Sequence, residues 1–174
     1  MLKINTLSKG MGENSIKAGL WLLRATFEKA DKTCESFNFI EDSIKKVMNI
    51  PVTELDFFYY MANWEDVENM ISSVNNIIKD FKWKTDLGDC DNRAEFVSTL
   101  FSFGFELNSC GKLYCNVKNP KTGFSDMHWC NLIVCSDGSV YLYDVDNGRR
   151  RMKLNGGKII MGNWEYTPIS ARFN

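Results

Sequence analysis

The sequence predicts an α+β fold in which helices come first and an antiparallel sheet follows. Before Gly104, apolar residues recur at steps of three and four, as on the buried face of a helix. After Gly104, apolar and polar residues alternate, which is typical of strands. Residues 136–138 carry a turn signal between two apolar runs, which is typical of a β-hairpin. Helices followed by hairpin-linked strands are the pattern of an α+β protein.

Four apolar segments precede the centre of the chain. Residues 13–33 have the spacing of one buried helical face, and residues 39–48 repeat that spacing more briefly. Thr53 is placed to cap a short aromatic piece over residues 55–62, whose side chains are expected to fill the core. A further helix is predicted over residues 64–80.

The central helix is predicted to carry a cysteine at its N-terminus. Gly88 permits a sharp turn, Asp89 suits the N-cap position, and Cys90 then falls in the first helical turn. Unpaired amides and the positive end of the helix dipole favour thiolate over thiol, and they form half of an oxyanion hole. Such a nucleophile needs a base, and the chain has a single histidine, His128.

The strands are predicted from alternation and turn residues. A strand around residues 113–117 is followed by a hairpin over 128–135 and 139–145. Two further strands are expected around residues 157–161 and 164–173. The helix with the cysteine is expected to pack on the antiparallel sheet that these strands form.

The hairpin turn decides which carboxylates share a face with the histidine. Residues 136–138 suit a three-residue loop, which pairs Cys135 with Ser139. His128 then lies opposite Asp146, with Asp144 one diagonal step away on the same face. A two-residue loop would turn both aspartates to the other face.

Composition and charge limit the partners. The 174 residues fit one domain, 1–174, and 21 basic against 22 acidic residues give a net charge of −1. That balance supplies no footprint for nucleic acid or an anionic membrane, and no apolar run of about 18 residues predicts a membrane span. The charge run over 149–151 is interpreted as a solvated sheet edge, with phosphate or carboxylate binding as the alternative.

The six cysteines are interpreted as free thiols. No secretory signal opens the chain, which favours the cytoplasm or an equivalent reducing space. A single histidine disfavours a structural zinc site, so neither a metal nor a cofactor is predicted.

The central residues resemble the transglutaminase-like branch of the papain-like cysteine peptidases, particularly its small bacterial and phage members. The resemblance covers residues 86–146 and rests on the segment 88–91, on His128 at the start of a strand, and on Asp144 at the end of the next. It implies a papain-like fold and a catalytic core over residues 83–174, preceded by a helical part over 1–82. It implies Cys90 as nucleophile, His128 as general base and then acid, and Asp144 as the orienting carboxylate.

Two further residues complete the expected site. Trp83, whose indole donates one hydrogen bond, is the nearest upstream candidate for the second oxyanion donor. Asp146 is the alternative orienting acid, although strand twist favours Asp144 and leaves Asp146 solvated. Asp89 is expected to cap the helix, so that its charge faces amides rather than the thiol.

Two functions from different classes remain open. The first is hydrolysis of a peptide or isopeptide bond, or acyl transfer, on a protein or peptide substrate through Cys90, His128 and Asp144. The second is a catalytically inactive, peptide-binding or virion-associated module on the same scaffold. The sequence leaves open the substrate, the acyl acceptor, the oligomeric state, and a cytoplasmic or virion-associated location.

Overall fold

A computed structural model describes residues 30–79 and 89–173. The helices of these ranges are α1 (Phe37–Lys45), α2 (Trp64–Ile78) and α3 (Cys90–Thr99), which continues as a π-helical turn over Leu100–Gly104. The strands are β1 (Thr33–Ser36), β2 (Val52–Thr53), β3 (Phe58–Met61), β4 (Cys110–Lys118), β5 (Ser125–Val134), β6 (Val140–Asp144), β7 (Arg150–Lys153), β8 (Ile159–Met161) and β9 (Trp164–Arg172). The predicted α+β class is confirmed. No helix in the described ranges is long and apolar enough to cross a membrane.

Most strands form one sheet in the order β2-β9-β4-β5-β6-β7, with β8 also paired to β9. All neighbours are antiparallel except β2 and β9, which run parallel. Strands β1 and β3 make a separate two-stranded ribbon. The hairpin β5-β6 therefore lies inside the main sheet, where both strands have neighbours on each side.

The turn between β5 and β6 has the predicted three-residue form. Cys135 donates its backbone N–H to Ser139 O over 2.9 Å, and Gly138 donates to Cys135 O over 2.9 Å. Gly138 has a φ of +77°, the left-handed conformation that glycine adopts without steric cost. Val134 faces Val140 in the same register. This register determines which side chains share each face of the hairpin.

Helices cover both faces of the sheet. The face with Leu132 and Leu142 packs against α1, whose Ile40 and Ile44 are fully buried. The opposite face, which includes Ile133, packs against α2 and α3. Strand periodicity divides β5 between the two layers, because successive side chains point to opposite faces.

Helix α2 has the expected start and buried stripe. Asn63 accepts a hydrogen bond from the backbone N–H of Asp66 over 3.0 Å, which caps the first turn. Its buried side chains lie at helical spacing: Val67, Met70, Ile71, Val74 and Ile78. The predicted helix is thus confirmed over its described residues.

Helix α3 is attached to β5 by a buried amide. Asn131 is 1% exposed, and its Nδ2 donates to Ala94 O over 2.9 Å and to Ser98 Oγ over 3.1 Å. The same Nδ2 lies 3.2 Å from Gly111 O on β4. One amide group therefore fixes the height of the cysteine-bearing helix above two central strands.

Within the aromatic piece of residues 55–62, Phe58–Met61 form a strand, so the helix that a cap at Thr53 implied is wrong. Tyr59 and Met61 are buried while Phe58 and Tyr60 are exposed, so the side chains alternate as in β3. Aromatic residues favour strands, and this segment gains backbone hydrogen bonds by pairing with β1. Thr53 pairs in β2 and caps no helix.

Other sequence predictions agree with the structure only in part. Most of the helix predicted over residues 13–33 lies outside the described residues, and Thr33 begins β1. The described portion of the expected helical part, 1–82, contains the three strands β1, β2 and β3 beside its helices. Residues 150–153 form β7, the outermost strand beyond β6, with exposed arginines. Arg150 and Arg151 are thus exposed on an edge strand, as the interpretation of residues 149–151 expected.

We expect Asn131→Asp to destabilise the fold by about 3 kcal/mol or more at pH 7, because a carboxylate would face the acceptors at Ala94 and Gly111. Urea unfolding followed by circular dichroism measures the change. Asn116→Asp on β4 is the matched control, since its side chain lies at the exposed end of the sheet and should change the stability by only about 0.5 kcal/mol. Equal losses in both variants would contradict this role of Asn131.

Candidate active site

Cys90 is the first residue of α3. The preceding Asp89 has the extended N-cap conformation, with φ −78° and ψ −172°. The expected side-chain cap by Asp89 is wrong, because that side chain makes no capping hydrogen bond. It instead shares a hydrogen bond with the Asp91 carboxyl group, which raises the pKa of Asp91. Asp91 also accepts the backbone N–H of Asn92 over 2.8 Å.

The Cys90 thiol is half-buried and contacts the histidine. A hydrogen bond with the His128 side chain lowers the pKa of Cys90, and the backbone amide of Trp129 acts in the same direction. Burial opposes this shift but does not cancel it. The structure thus brings together the predicted nucleophile and the predicted base.

His128 hydrogen-bonds on both sides of its ring. Its Nε2 lies 2.9 Å from Asp144 Oδ2, and the imidazole is only 12% exposed. Nδ1 is therefore the nitrogen left for Cys90. Burial favours the neutral ring, but the hydrogen bonds to Asp144 and Cys90 outweigh it and raise the pKa of His128 to about 10. The imidazolium form of His128 is therefore favoured at neutral pH, and its hydrogen bond shifts Cys90 towards the thiolate.

Asp144 is the last residue of β6 and is 2% exposed. Its Oδ1 accepts the backbone N–H groups of Asp146 over 2.8 Å and of Asn147 over 3.2 Å. Its Oδ2 accepts the Tyr166 hydroxyl over 2.6 Å beside the contact with His128. Four donors therefore surround the two oxygens and fix the carboxylate orientation.

Tyr166 and Asn147 form a support that the sequence analysis missed. The Asn147 Nδ2 donates to Tyr166 Oη over 3.0 Å and to Met161 O over 2.7 Å. The Tyr166 hydroxyl accepts from Asn147, so its proton is directed at Asp144. Burial raises the pKa of Tyr166, which keeps it a donor. Strand alternation marks Tyr166 as inward-facing, but only the fold brings it to Asp144.

Asp146 has a different partner from the histidine. Strand β6 ends at Asp144, and the chain then turns, with Arg149 donating its backbone N–H to Val145 O over 3.2 Å. Asp146 consequently leaves the position opposite His128. It forms an ion pair with Arg93 of α3, and both side chains are 25% exposed. Asp146 is exposed, as expected, and the ion pair with Arg93 is a contact that the sequence analysis did not predict.

The ligand atoms of His128, Asp144 and Asp146 lie within 4.8 Å of one another, which is a spacing that a metal ion could bridge. Each carboxylate already has a protein donor, however: Tyr166 for Asp144 and Arg93 for Asp146. A guanidinium at this point would repel a cation. The arrangement therefore favours a hydrogen-bonded network over a metal centre. Trp83, the proposed second oxyanion donor, lies outside the described residues.

The fold and the site define an α+β protein in which a cysteine, a histidine and an aspartate meet at one end of the sheet. No family model matches the chain, and no curated protein matches it. A solved structure described as "PSL1a-E64 complex" is similar in fold, with a TM-score of 0.53 and 12% sequence identity. The similarity covers 80% of this chain and 51% of the other, so the chain spans about half the length of that protein. At this identity the likeness is one of fold.

The single histidine makes the site accessible to NMR titration, since its ring resonance has one assignment. We expect His128 to titrate near pH 10. Asp144→Asn removes the carboxylate that opposes the effect of burial, so the pKa of His128 should fall to its ordinary value of 6.5 or below. Asp146→Asn, the matched control, should leave it near 10.

The sign of the pH dependence follows from the same shift. A raised pKa in the folded protein stabilises the fold fully below pH 6.5, and this contribution disappears as the pH rises through about 10. The stability difference between the unaltered protein and Asp144→Asn should therefore shrink over that interval. An equal fall of the His128 pKa in Asp146→Asn would contradict the assignment of Asp144.

Proposed function

We propose that the protein carries out cysteine-dependent amide chemistry, hydrolysing a peptide or isopeptide bond or transferring its acyl group to an amine. One observation carries the proposal: Cys90 hydrogen-bonds to His128, whose Nε2 lies 2.9 Å from the buried Asp144 carboxylate. This is the relation of nucleophile, base and orienting acid that acyl transfer needs.

The reaction proceeds through a thioester on Cys90. The thiolate attacks the amide carbonyl carbon, a C–S bond forms, and the C–N bond breaks as His128 gives its proton to the leaving amine. Water or an amine then attacks the thioester and loses a proton to His128. The C–S bond breaks, the acid or new amide leaves, and the ion pair with Cys90 is restored.

Charge on the carbonyl oxygen would be stabilised at the N-terminus of α3. The Arg93 amide donates to Asp89 O, and the Asn92 amide donates to Asp91 Oδ1. The backbone N–H of Cys90 is thus the proposed oxyanion donor, reinforced by the helix dipole. Trp83 stays a proposed second donor.

The inactive, peptide-binding alternative would require a thiol sealed from solvent or separated from its base. Cys90 is half-buried and hydrogen-bonded to His128, which favours catalysis. The order of a helix-borne cysteine, then a strand with histidine, then a strand ending in aspartate supports the proposed papain-like, transglutaminase-like core over residues 83–174. A protein or peptide is the proposed substrate, and we extend the proposal to a cytoplasmic or virion-associated enzyme.

Thiol labelling tests the nucleophile. All six cysteines are free, Cys34 is exposed, and four are buried, so Cys34 serves as an internal reference. With limiting iodoacetamide at pH 7, we expect Cys90 to be alkylated faster than Cys34, because His128 favours its thiolate. His128→Ala should slow the Cys90 reaction and leave Cys34 unchanged. Peptide mass mapping measures both rates, and a Cys90 rate no greater than that of Cys34 would refute the proposed nucleophile.

Acyl transfer tests the orienting carboxylate. With p-nitrophenyl acetate as acyl donor, Asp144→Asn should reduce the rate on the order of 10⁴-fold, as expected when a triad carboxylate is lost and the wrong imidazole tautomer is favoured. Asp146→Asn should cost far less, since its ion pair with Arg93 only helps to fix α3. Circular dichroism confirms that both variants fold. A larger loss at position 146 than at 144 would reverse the two roles.

A further inference from the structure

An open, positively charged groove lies beside β7. We call it the basic groove; it has a volume of about 740 Å³ and is lined by the cations Arg149, Arg150, Arg151 and Lys153. Its apolar side includes Trp64 and Tyr141, whose rings are stacked with centroids 3.5 Å apart. A groove of this volume is in the range of ligand-binding clefts.

The charge of the basic groove is not shared by the protein as a whole. Four cations and one acid, Glu68, line it, which leaves an excess of three positive charges, whereas the chain has a net charge of −1. Glu68 pairs with Arg151. Arg149 and Arg150 form no ion pair with any residue of the described ranges. Two neighbouring guanidinium groups without an ion-pair partner among the described residues favour an anionic ligand.

The backbone conformation at Arg149 also favours a ligand-binding role for its side chain. Arg149 has a φ of +58° and follows Gly148, which has a φ of +67°. The left-handed conformation costs a side chain such as arginine roughly 1–2 kcal/mol, whereas asparagine tolerates it better. The chain thus presents a guanidinium from a position where the turn itself would favour another residue.

The basic groove adjoins the candidate active site. In the register of the two strands, Arg150 on β7 lies opposite Asp144 on β6. The Arg150 guanidinium and the Asn147 side-chain oxygen both lie against Gly162, within 3.2 Å of where a Cβ would be. Asn147 in turn donates to Tyr166, which donates to Asp144. A ligand in the groove would therefore lie one strand away from the orienting carboxylate.

We propose that the basic groove binds an acidic segment of the polypeptide substrate, an inference that rests on the proposed function and names its substrate class. Guanidinium groups bind carboxylates through two parallel hydrogen bonds. Strand β7 is also the outer strand beyond β6, where an extended peptide can lie along the edge. Nucleic acid requires a broader basic face than this chain, with a pI of about 5.9, supplies.

The test measures peptide binding apart from catalysis. Fluorescein-labelled decamers of glutamate and of glutamine, and a ten-nucleotide oligo-dT, are titrated with the full chain carrying Cys90→Ser, and anisotropy is recorded. We expect the glutamate decamer to bind, to weaken as salt rises, and to exceed both other probes in affinity. Arg149→Asn and Arg150→Ser should each weaken binding about tenfold, as for the loss of a charge-assisted hydrogen bond.

Lys158→Ser is the matched control, because it makes the same change in net charge at an exposed lysine outside the basic groove, paired with Glu165. It should leave the affinity within about twofold, as for an exposed ion pair. Arg149→Asn should not lower the thermal midpoint, since asparagine suits the turn. Lost binding in that variant therefore cannot result from unfolding.

Three outcomes would overturn the proposal: no binding of the glutamate decamer, equal binding of the glutamine decamer or of oligo-dT, or equal weakening by Lys158→Ser. The proposed function is tested separately, by alkylation of Cys90 in chains that retain it. Normal Cys90 reactivity without decamer binding removes the groove proposal alone. An unreactive Cys90 with decamer binding removes the enzyme and leaves a binding site for acidic peptides.

Discussion

The buried Asp144 carboxylate holds the end of the sheet together, because four donors from three parts of the chain converge on it. The amides of Asp146 and Asn147 close the turn after β6, and the Tyr166 hydroxyl reaches it from β9. The remaining donor is His128 of β5. A carboxylate with 2% exposure would cost free energy without these hydrogen-bond partners. The need to satisfy this one group therefore fixes the turn after β6, strand β9 and the imidazole of His128.

The cysteine-bearing helix is held to the same strands by separate contacts. On one face of β5, Asn131 fixes the body of α3, while His128 lies on the other face and reaches Cys90 at the helix N-terminus. The Arg93–Asp146 ion pair joins the first turns of α3 to the chain after β6. Two attachments at different points of a helix restrict its rotation as well as its height. The thiol is thereby positioned by rigid elements rather than by a loop.

The sequence predicts those features that depend on local spacing. The 136–138 turn determined the hairpin register, and the apolar period predicted α2 and α3. Prediction from the sequence failed where tertiary contacts override local conformational preference. Residues 58–61 pair with β1 as a strand, and Asp146 turns towards Arg93. Tyr166 could not be placed from the sequence, because 22 residues separate it from Asp144 and only sheet pairing brings them together.

Burial and hydrogen bonding shift the pKa values of His128 and Cys90 in opposite directions. Burial alone would leave His128 neutral and Cys90 a thiol, which is a weak nucleophile. The fixed Asp144 carboxylate reverses this by stabilising the imidazolium, which in turn stabilises the thiolate. Asp89 acts in the opposite sense, because its negative charge raises the pKa of the neighbouring Cys90 thiol. The hydrogen bond from His128 outweighs this charge, so an acidic residue next to a nucleophilic thiol is compatible with a lowered thiol pKa.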